Sequence, residues 1–322
     1  MALEKNMNLI FRINSFTFRI RYPNFKAEMG DIGQGCYPYR PDWYPLYGYR
    51  PSKAVGVAFC ALFGLSMVLH IAQFCWKRTW WCSVFAIGCL AELMGWAGRT
   101  WSSVCPYNYT AFMMQISTLI IAPTFFTAGI YILLGRFIQI LGRHRESSFL
   151  TPKQYLWIFC TCDVISLVIQ AVGGGLAASA SGVYGADTAP GTNTMVAGIV
   201  FQLVSISLFG VCTIDFVRRV TKLGLLRSMS GRGSFMILMI TMLISVLCIY
   251  IRSIYRTIEL AQGWTGYLIT HESYFVGLDG VLMVVAVGIF NVFHPGWLLS
   301  SVEGPTLPIV QAREHKAMES SD

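Results

Sequence analysis

Charged residues are scarce in this sequence, because Asp, Glu, Lys and Arg make up only 12% of its 322 residues. An average soluble domain carries about 25% charged residues. Hydrophobic residues make up 55% of the chain, and its mean hydropathy is +0.55. The shortage of charge excludes an ordinary soluble domain and predicts an integral membrane protein.

Signatures of enzymes and of ATP-driven pumps are also missing. Gly173-Gly174-Gly175 lies within an apolar run and not after a strand, so it is not a phosphate-binding loop. No nucleophile-plus-base motif is present. The few histidines lie too far apart along the predicted helices for a three-ligand zinc site; they are His70, His144, His271, His294 and His315. We therefore predict no enzymatic activity, no cofactor and no metal.

Apolar runs of roughly 20 residues recur along the chain and are separated by charged or Pro/Gly-rich breaks. Runs of this length cross a membrane as helices. The predicted fold is an all-α integral membrane protein with seven transmembrane helices, at residues 52–76, 81–101, 111–138, 155–178, 194–217, 235–261 and 271–300.

The distribution of Lys and Arg predicts the orientation. The connections after the first, third and fifth spans hold ten of these residues, whereas the connections 102–110, 179–193 and 262–270 hold none. Basic loops face the cytoplasm, so we expect an outside N-terminus. The basic residues before the first span argue weakly the other way. The net charge of +8 mostly reflects this loop bias and does not indicate nucleic-acid binding.

These observations predict three regions: an extracellular N-terminal segment (1–46), a seven-helix membrane domain (47–300) and a short cytoplasmic tail (301–322). We predict no secondary structure for residues 1–28, which we interpret as an extension upstream of a natural start at Met29, with a mitochondrial presequence as the weaker alternative. Asn108 begins a glycosylation sequon in a predicted outside loop. Cys36 and Cys105 also fall on the oxidising side, where they are either a disulfide or two free thiols.

Polar residues recur seven apart within four of the predicted spans. Residues four and seven apart lie on one face of a helix, so each of these spans has a polar stripe. A central charge facing lipid costs roughly 3 kcal/mol, and the stripes must therefore face each other or water. The stripes, together with Gln202, define the predicted substrate pathway: Glu92, Arg99, Asp163, Gln170, Gln202, Arg252, Arg256, Glu259, Glu272 and Asp279.

These residues allow two interpretations. Because acids outnumber arginines, a cavity in the outer half of the bundle suits an amphiphile with a cationic head group. The alternative is a network of interhelical pairs that only fixes packing.

Pro123 lies within the third span and predicts a kink or hinge. Gly173 and Gly175 predict close helix packing or local unwinding.

Several motifs in order resemble the fungal lipid-translocating exporter family. They are "ELMGWAGR", "APTFFTAGIYILLGR", "DVISLVIQAVGGG", "GIVFQ", "RSIYRTIELAQGWTG", "HESYFVGLD" and "FHPG", and the resemblance covers residues 47–296. These seven-helix proteins are linked to 7-aminocholesterol resistance, sphingoid long-chain-base release and protoporphyrin uptake. The resemblance implies a multi-pass plasma-membrane protein that moves sphingoid bases or sterol-like amines and confers resistance to toxic lipids or drugs.

The resemblance extends to individual positions. Besides the predicted pathway residues, the matching positions are Gly95, Pro123, Tyr131, Gly263, His294 and Pro295. Trp96 stands where the family usually has Tyr, and Val276 where it commonly has an aromatic residue, and each departure predicts an altered substrate pocket. The implied partners are membrane lipids and an amphiphilic small molecule.

A seven-helix receptor or sensor of lipid or stress signals would show the same topology. The Asp-Arg-Tyr motif that follows the third span in G-protein-coupled receptors does not occur at that position. A sensor role without transport remains the alternative function.

Overall fold

The computed structural model describes residues 8–13, 16–21, 35–40, 43, 45–141, 148–181, 187–224, 232–263 and 266–302. Within this part of the chain, seven helices are long and apolar enough to cross a membrane. The prediction of a seven-span helical membrane protein is confirmed. The tail after residue 302 and the connections at 142–147 and 225–231 lie outside the described residues.

Six spans are continuous helices: α1 (Lys53–Lys77), α2 (Ser83–Val104), α3 (Tyr109–Leu141), α4 (Pro152–Ser181), α5 (Ala189–Lys222) and α6 (Arg232–Ala261). A 3₁₀ turn, Trp80–Cys82, precedes α2. The seventh span, Glu272–Ser300, is divided. It contains α7 (Glu272–Phe275), a π-helix (Val276–Val281), α8 (Leu282–Val292) and the first part of α9 (Pro295–Val302).

The N-terminal segment differs from the prediction, because it contains an antiparallel hairpin. Strand β1 (Asn8–Ile13) pairs with β2 (Phe16–Arg21), and Ile13 lies opposite Phe16 next to the turn. The strand sequences NLIFRI and FTFRIR place Phe, Ile or Leu at every second position, which is the period of a strand. A search for long apolar runs does not detect that pattern.

The helices alternate in direction, which gives the bundle two distinct ends. Cys36 and Cys105 form a disulfide with a Cα–Cα distance of 4.7 Å, and it ties the segment before α1 to the end of α2. We call this the disulfide end. The C-terminal ends of α1, α3 and α5 lie at the opposite end of the bundle, which we call the basic end.

Each of the helices α1 to α5 packs on its neighbours in the chain, and α6 packs on the seventh span and on α5. Aromatic side chains fill much of the interior, including Phe63, Phe85, Trp96 and Phe126. Apolar residues such as Leu65 point outward and are exposed. This distribution is expected of a bundle whose solvent is hydrocarbon.

Candidate functional site

Charged side chains from α2, α6 and the seventh span meet in the half of the bundle nearer the disulfide end. We call this group the charged cluster: Glu92, Arg99, Arg252, Arg256, Glu259, Glu272 and Asp279. All except Glu272 are buried. Together the three spans supply three arginines and four acids.

Arg99 forms the part of the cluster nearest the disulfide end. Its Nη2 donates to Glu272 Oε1 at 3.0 Å and to the Tyr49 hydroxyl at 2.6 Å. The Glu272 carboxylate also accepts the backbone N–H of Ser52 at 2.9 Å. The guanidinium carbon lies 4.4 Å from the centre of the Phe275 ring, a cation–π contact. These contacts tie the seventh span to α2 and to the residues before α1.

The two arginines of α6 pair with acids deeper in the bundle. Arg252 Nε lies 2.9 Å from Asp279 Oδ1, in an ion pair whose angle is not that of a hydrogen bond. Arg256 Nη1 donates to Glu259 Oε2 at 2.6 Å, and its Nε lies 3.9 Å from Asp279. The Tyr255 hydroxyl donates to the other Glu259 oxygen at 2.9 Å. Each arginine of α6 thus has an acid within 3.0 Å.

Glu92 is the acid left over. Its side chain is fully buried, and neither of its oxygens makes a hydrogen bond to any described residue. Arg252 is the strongest positive influence on it, and Asp279 opposes that influence. Since the three arginines already pair with three other acids, Glu92 is a surplus carboxylate. Isolated buried charges cost several kcal/mol, so this position favours the arrival of a cation or a proton.

Pro123 determines where Arg252 binds on α3. A proline has no N–H, so the carbonyl four residues earlier, that of Leu119, has no helical donor. Arg252 Nη2 donates to this carbonyl at 2.7 Å. Helix α3 continues through Pro123 without a break. In this conformation the proline therefore provides an acceptor for α6 in the middle of the bundle.

Asp279 lies on the π-helical segment Val276–Val281. Such segments hold an extra residue per turn and frequently occur at functional sites. The neighbouring Gly280 packs against the rings of Trp96 and Phe59, and a side chain on it would collide with both. These two rings are stacked with their centres 4.0 Å apart. The backbone next to the cluster is thus fitted closely around an aromatic pair.

Two tyrosines before α1 close the disulfide end of the cluster. Tyr47 donates its hydroxyl to Gln115 Oε1 at 2.7 Å. Burial raises the pKa of Tyr47 to about 12 and also raises the pKa of Tyr49. The cavity lined by these residues, Arg99 and Glu259 has a volume of about 20 Å³, which holds about one water molecule. In this conformation the cluster is closed at the disulfide end.

Three predicted pathway residues lie outside the charged cluster. Asp163 on α4 accepts hydrogen bonds from Thr127 at 2.9 Å and Tyr131 at 3.1 Å, both on α3. Gln170 on α4 donates to Gln202 on α5 at 3.2 Å. The polar stripe of α4 therefore faces α3 and α5, whereas those of α2, α6 and the seventh span face each other.

The remaining residues with predicted structural roles lie on α4 and at the junction of α8 and α9. Gly173 of α4 approaches the backbone of Gly191 on α5 so closely that a side chain would collide, whereas Gly175 faces open space. Helix α4 is continuous through both positions. His294 and Pro295 lie where α8 ends and α9 begins, and His294 Nδ1 accepts the backbone N–H of Gly296 at 3.1 Å.

The predicted glycosylation residue, Asn108, is only 5% exposed. Its Oδ1 accepts the backbone N–H of Ala111 at 2.9 Å, at the start of α3. Its Nδ2 donates to the Gly35 carbonyl at 3.3 Å. A glycan on Nδ2 would therefore have to displace the segment beside the Cys36–Cys105 disulfide.

An apolar groove of about 420 Å³ lies between α5 and α6. Val211 and Ile214 line it from α5, and Leu247 and Tyr250 line it from α6. At 100° per residue, these α6 positions lie on the opposite side of the helix from Arg252. The groove can hold hydrocarbon, but it is separated from the charged cluster by α6 itself. No group of three metal-ligating side chains occurs among the described residues.

Sequence reasoning missed several partners of the cluster. Tyr49 and Ser52 precede the first span and carry no spacing signal. The carbonyl of Leu119 could have been identified from Pro123, because it stands four residues earlier in the same helix. Tyr255 precedes the predicted pathway residue Arg256. Only its spacing of four from Glu259, which puts both on one face of α6, could have indicated this contact.

Comparison with known proteins gives the following matches. A family described as "RTA1 like protein" matches residues 85–301, from α2 to α9. The chain is 32% identical over 284 residues to the sphingoid long-chain base transporter RSB1 of Saccharomyces cerevisiae strain S288c, an alignment that covers 78% of this chain and 74% of that protein.

Two further relatives come from the same species. Protein RTM1 is 27% identical over 290 residues, covering 77% of this chain and 91% of RTM1. Protoporphyrin uptake protein 1 is 28% identical over 286 residues, with the same two coverages. No solved structure matches the chain.

Proposed function

This chain belongs to the RTA1-like protein family, and we propose that it moves amphiphilic lipids with a cationic head group across the membrane. Sphingoid long-chain bases are the best-supported substrate class, and sterol-like amines are the second. The support is the similarity to a protein named as a sphingoid long-chain base transporter and the chemistry of the charged cluster. A sphingoid base combines an amine that is protonated at neutral pH with a single hydrocarbon chain.

The observation that carries the proposal is the surplus carboxylate of Glu92. A protonated amine beside Glu92 would supply the cation that the described residues do not provide. Trp96, one turn further along α2, stacks on Phe59 and lies 5.5 Å from the Phe275 ring, measured between ring centres. Aromatic faces attract ammonium groups, which adds to the attraction of the carboxylate.

The three arginines have a supporting role in this proposal. Each neutralises one acid of the cluster, so a single carboxylate is available for one cationic head group. Without them the cluster would hold several uncompensated acids, which is unfavourable in hydrocarbon. Asp163 and the Gln170–Gln202 pair contact neither Glu92 nor these arginines, and we assign them to the α3–α4 and α4–α5 interfaces.

Entry of the head group requires a conformational change, because the cavity below Tyr47 and Tyr49 has room for about one water molecule. Separation of the Arg99–Glu272 pair would open a polar path from the disulfide end. The Lys/Arg bias of the connections favours an orientation with this end outside and the C-terminus in the cytoplasm. The family resemblance further supports a location in the plasma membrane, where export would confer resistance to toxic lipids.

Glu92→Gln tests the proposal in proteoliposomes that contain the purified full-length protein. Movement of a labelled sphingoid base should fall at least about tenfold, because the amide cannot pair with the amine. Thermal stability should not fall, since Glu92 makes no hydrogen bond that the substitution would break and Gln removes an uncompensated buried charge. Asp215→Asn, at the exposed Asp215–Arg219 pair, is the matched control and should move the base normally.

Three other outcomes are informative. Normal movement by Glu92→Gln would disprove the role of this carboxylate. Loss of folding in the same variant would favour a network that only fixes packing. Binding of the base without movement in the unchanged protein would identify a sensor. Growth of a deletion strain on sphingoid bases, aminosterols and porphyrins would then narrow the substrate class.

A further inference from the structure

A second polar group lies between α1 and the seventh span, in the half of the bundle nearer the basic end. We call it the histidine cluster: Ser66, His70, Gln73, Asn291 and His294. Asn291 Nδ2 donates to Ser66 Oγ at 2.5 Å, and Gln73 Nε2 donates to the Asn291 carbonyl at 2.7 Å. The two imidazole rings have their centres 6.3 Å apart.

The cluster concentrates polar atoms that have no hydrogen-bond partner among the described residues. They are both ring nitrogens of His70, Nε2 of His294, Oε1 of Gln73 and Oδ1 of Asn291. His70 is 0% exposed and His294 is 1% exposed. Buried polar groups are nearly always bonded, so five such atoms in one place mark a binding site. Donors and acceptors are mixed here and no carboxylate belongs to the group, which argues against a metal cation.

The surroundings limit the positive charge that the histidine cluster can hold. Lys77 at the end of α1 acts on His294. From α2, Phe85 stacks on His70 with 5.5 Å between ring centres. Cys89, also on α2, is titratable, and its thiol donates a hydrogen bond to Ser66 of the cluster. On the seventh span, the Val287 carbonyl faces His70 outside hydrogen-bond geometry. With Lys77 close by, two imidazolium ions at this separation repel each other, so the pair holds at most one proton.

A polar connection leads from the histidine cluster to the charged cluster. Asn291 contacts Ser66, and the Cys89 thiol donates to Ser66 Oγ at 3.5 Å. Cys89 is three residues before Glu92, on the same face of α2, and the Glu92 carboxylate acts electrostatically on its thiol. The surplus carboxylate is thus one helical turn from the last member of the connection.

We propose that His70 and His294 form a proton-binding site that couples proton exchange at the basic end to the occupancy of Glu92. When a cationic head group leaves Glu92, one proton moves from an imidazolium nitrogen past Ser66 and Cys89 to the free carboxylate. The steps from the ring to Ser66 and from Cys89 to Glu92 require water or a side-chain rotation, because no hydrogen bond joins these groups among the described residues. When a cation binds, that proton returns to the imidazole pair and leaves at the basic end. One proton is exchanged for one cation. The coupling to a lipid amine rests on the proposed function, whereas the proton site itself does not.

Titration of the histidine ring signals by NMR tests the site without any substrate. The full-length protein is placed in lipid nanodiscs with labelled histidine. His70→Gln should change the titration midpoint of His294, and His294→Gln that of His70, each by about one pH unit or more. His271→Gln, at the disulfide end, is the control and should change neither. Independent titration of the two rings in both variants would overturn the proposal.

Accumulation of a lipid cation across a pH gradient tests the coupling. The probe is N,N,N-trimethylsphinganine, whose permanent charge prevents it from crossing as a neutral amine. For one proton per cation, its accumulation ratio in proteoliposomes should change about tenfold per pH unit. The ratio should become independent of the gradient in His294→Gln. Accumulation that ignores the gradient in the unchanged protein would refute the coupling. If neither the probe nor a natural base moves while the two rings still titrate together, the proposed function fails and the proton site stands.

Discussion

Asp279→Asn should destabilise the protein far more than Asp215→Asn, although each removes the acid of an ion pair shorter than 3 Å. Asp279 lies 2.9 Å from Arg252, and the exposed fractions of the two side chains are 0% and 6%. Asp215 lies 2.7 Å from Arg219, and both of these side chains are more than a third exposed. The two pairs have similar separations and differ in their surroundings.

The magnitude follows from the surroundings of each pair. At 2.9 Å and an effective dielectric constant of about 20, Asp279 and Arg252 attract each other by about 6 kcal/mol. Replacing the acid leaves Arg252 buried without its partner and removes a second attraction, to Arg256 at 3.9 Å. Breaking a buried pair in this way costs about 3–5 kcal/mol. Water screens the exposed Asp215–Arg219 pair, and its loss costs about 0–1 kcal/mol.

Reversible unfolding of the purified protein in mixed detergent and lipid micelles, followed by tryptophan fluorescence, measures both changes. The double variant Asp279→Asn with Arg252→Gln should recover part of the loss, because it no longer leaves Arg252 buried without Asp279. A free-energy change for Asp279→Asn within about 1 kcal/mol of that for Asp215→Asn would refute the reasoning. It would mean that water reaches the inner pair.

Two further changes should affect stability in measurable ways. Cys36→Ser opens a loop of 69 residues and should lower the free energy of unfolding by about 4 kcal/mol. The control Cys75→Ser, at an exposed free thiol, should leave the free energy of unfolding unchanged. Equal behaviour of the two variants in the same unfolding assay would contradict this prediction. Tyr47 has a pKa of about 12 in the folded protein against an ordinary value of 10.0, so its contribution is fully present below pH 10 and is lost as the pH rises toward 12. Between pH 10 and pH 12 the free energy of unfolding of the unchanged protein should fall by up to about 3 kcal/mol more than that of Tyr47→Phe. Parallel curves of stability against pH for the two proteins would show that the Tyr47 phenol does not stay protonated.

The sequence predicts the membrane spans well because each depends only on its own composition. An apolar run bounded by charged residues predicts a membrane-spanning helix whatever the rest of the chain contains. The N-terminal hairpin was missed for a different reason. Its strands show a period of two over only six residues each, a pattern too short and too interrupted to form an apolar run.

The charged cluster could be predicted only in part. Spacing of seven identifies residues on one face of a helix, but it does not say which neighbour that face meets. Glu92 and Asp163 belong to stripes of the same form, yet one faces α6 and the seventh span and the other faces α3. The rotation of each helix depends on contacts such as that between Arg252 and the Leu119 carbonyl. A sequence pattern within one span does not contain that information.

The π-helix at Val276–Val281 separates the seventh span into two segments with different rotational phases. The part before it directs Glu272 toward Arg99, and the part after it directs Asn291 toward Ser66. Deleting one residue from the π-helix would restore regular winding and rotate everything beyond it by about 100°. That rotation would keep the pairing at the disulfide end and turn Asn291 and His294 away from α1. A one-residue gap at this place in an alignment of relatives would therefore mark proteins that keep the Arg99–Glu272 pair and have lost the histidine cluster.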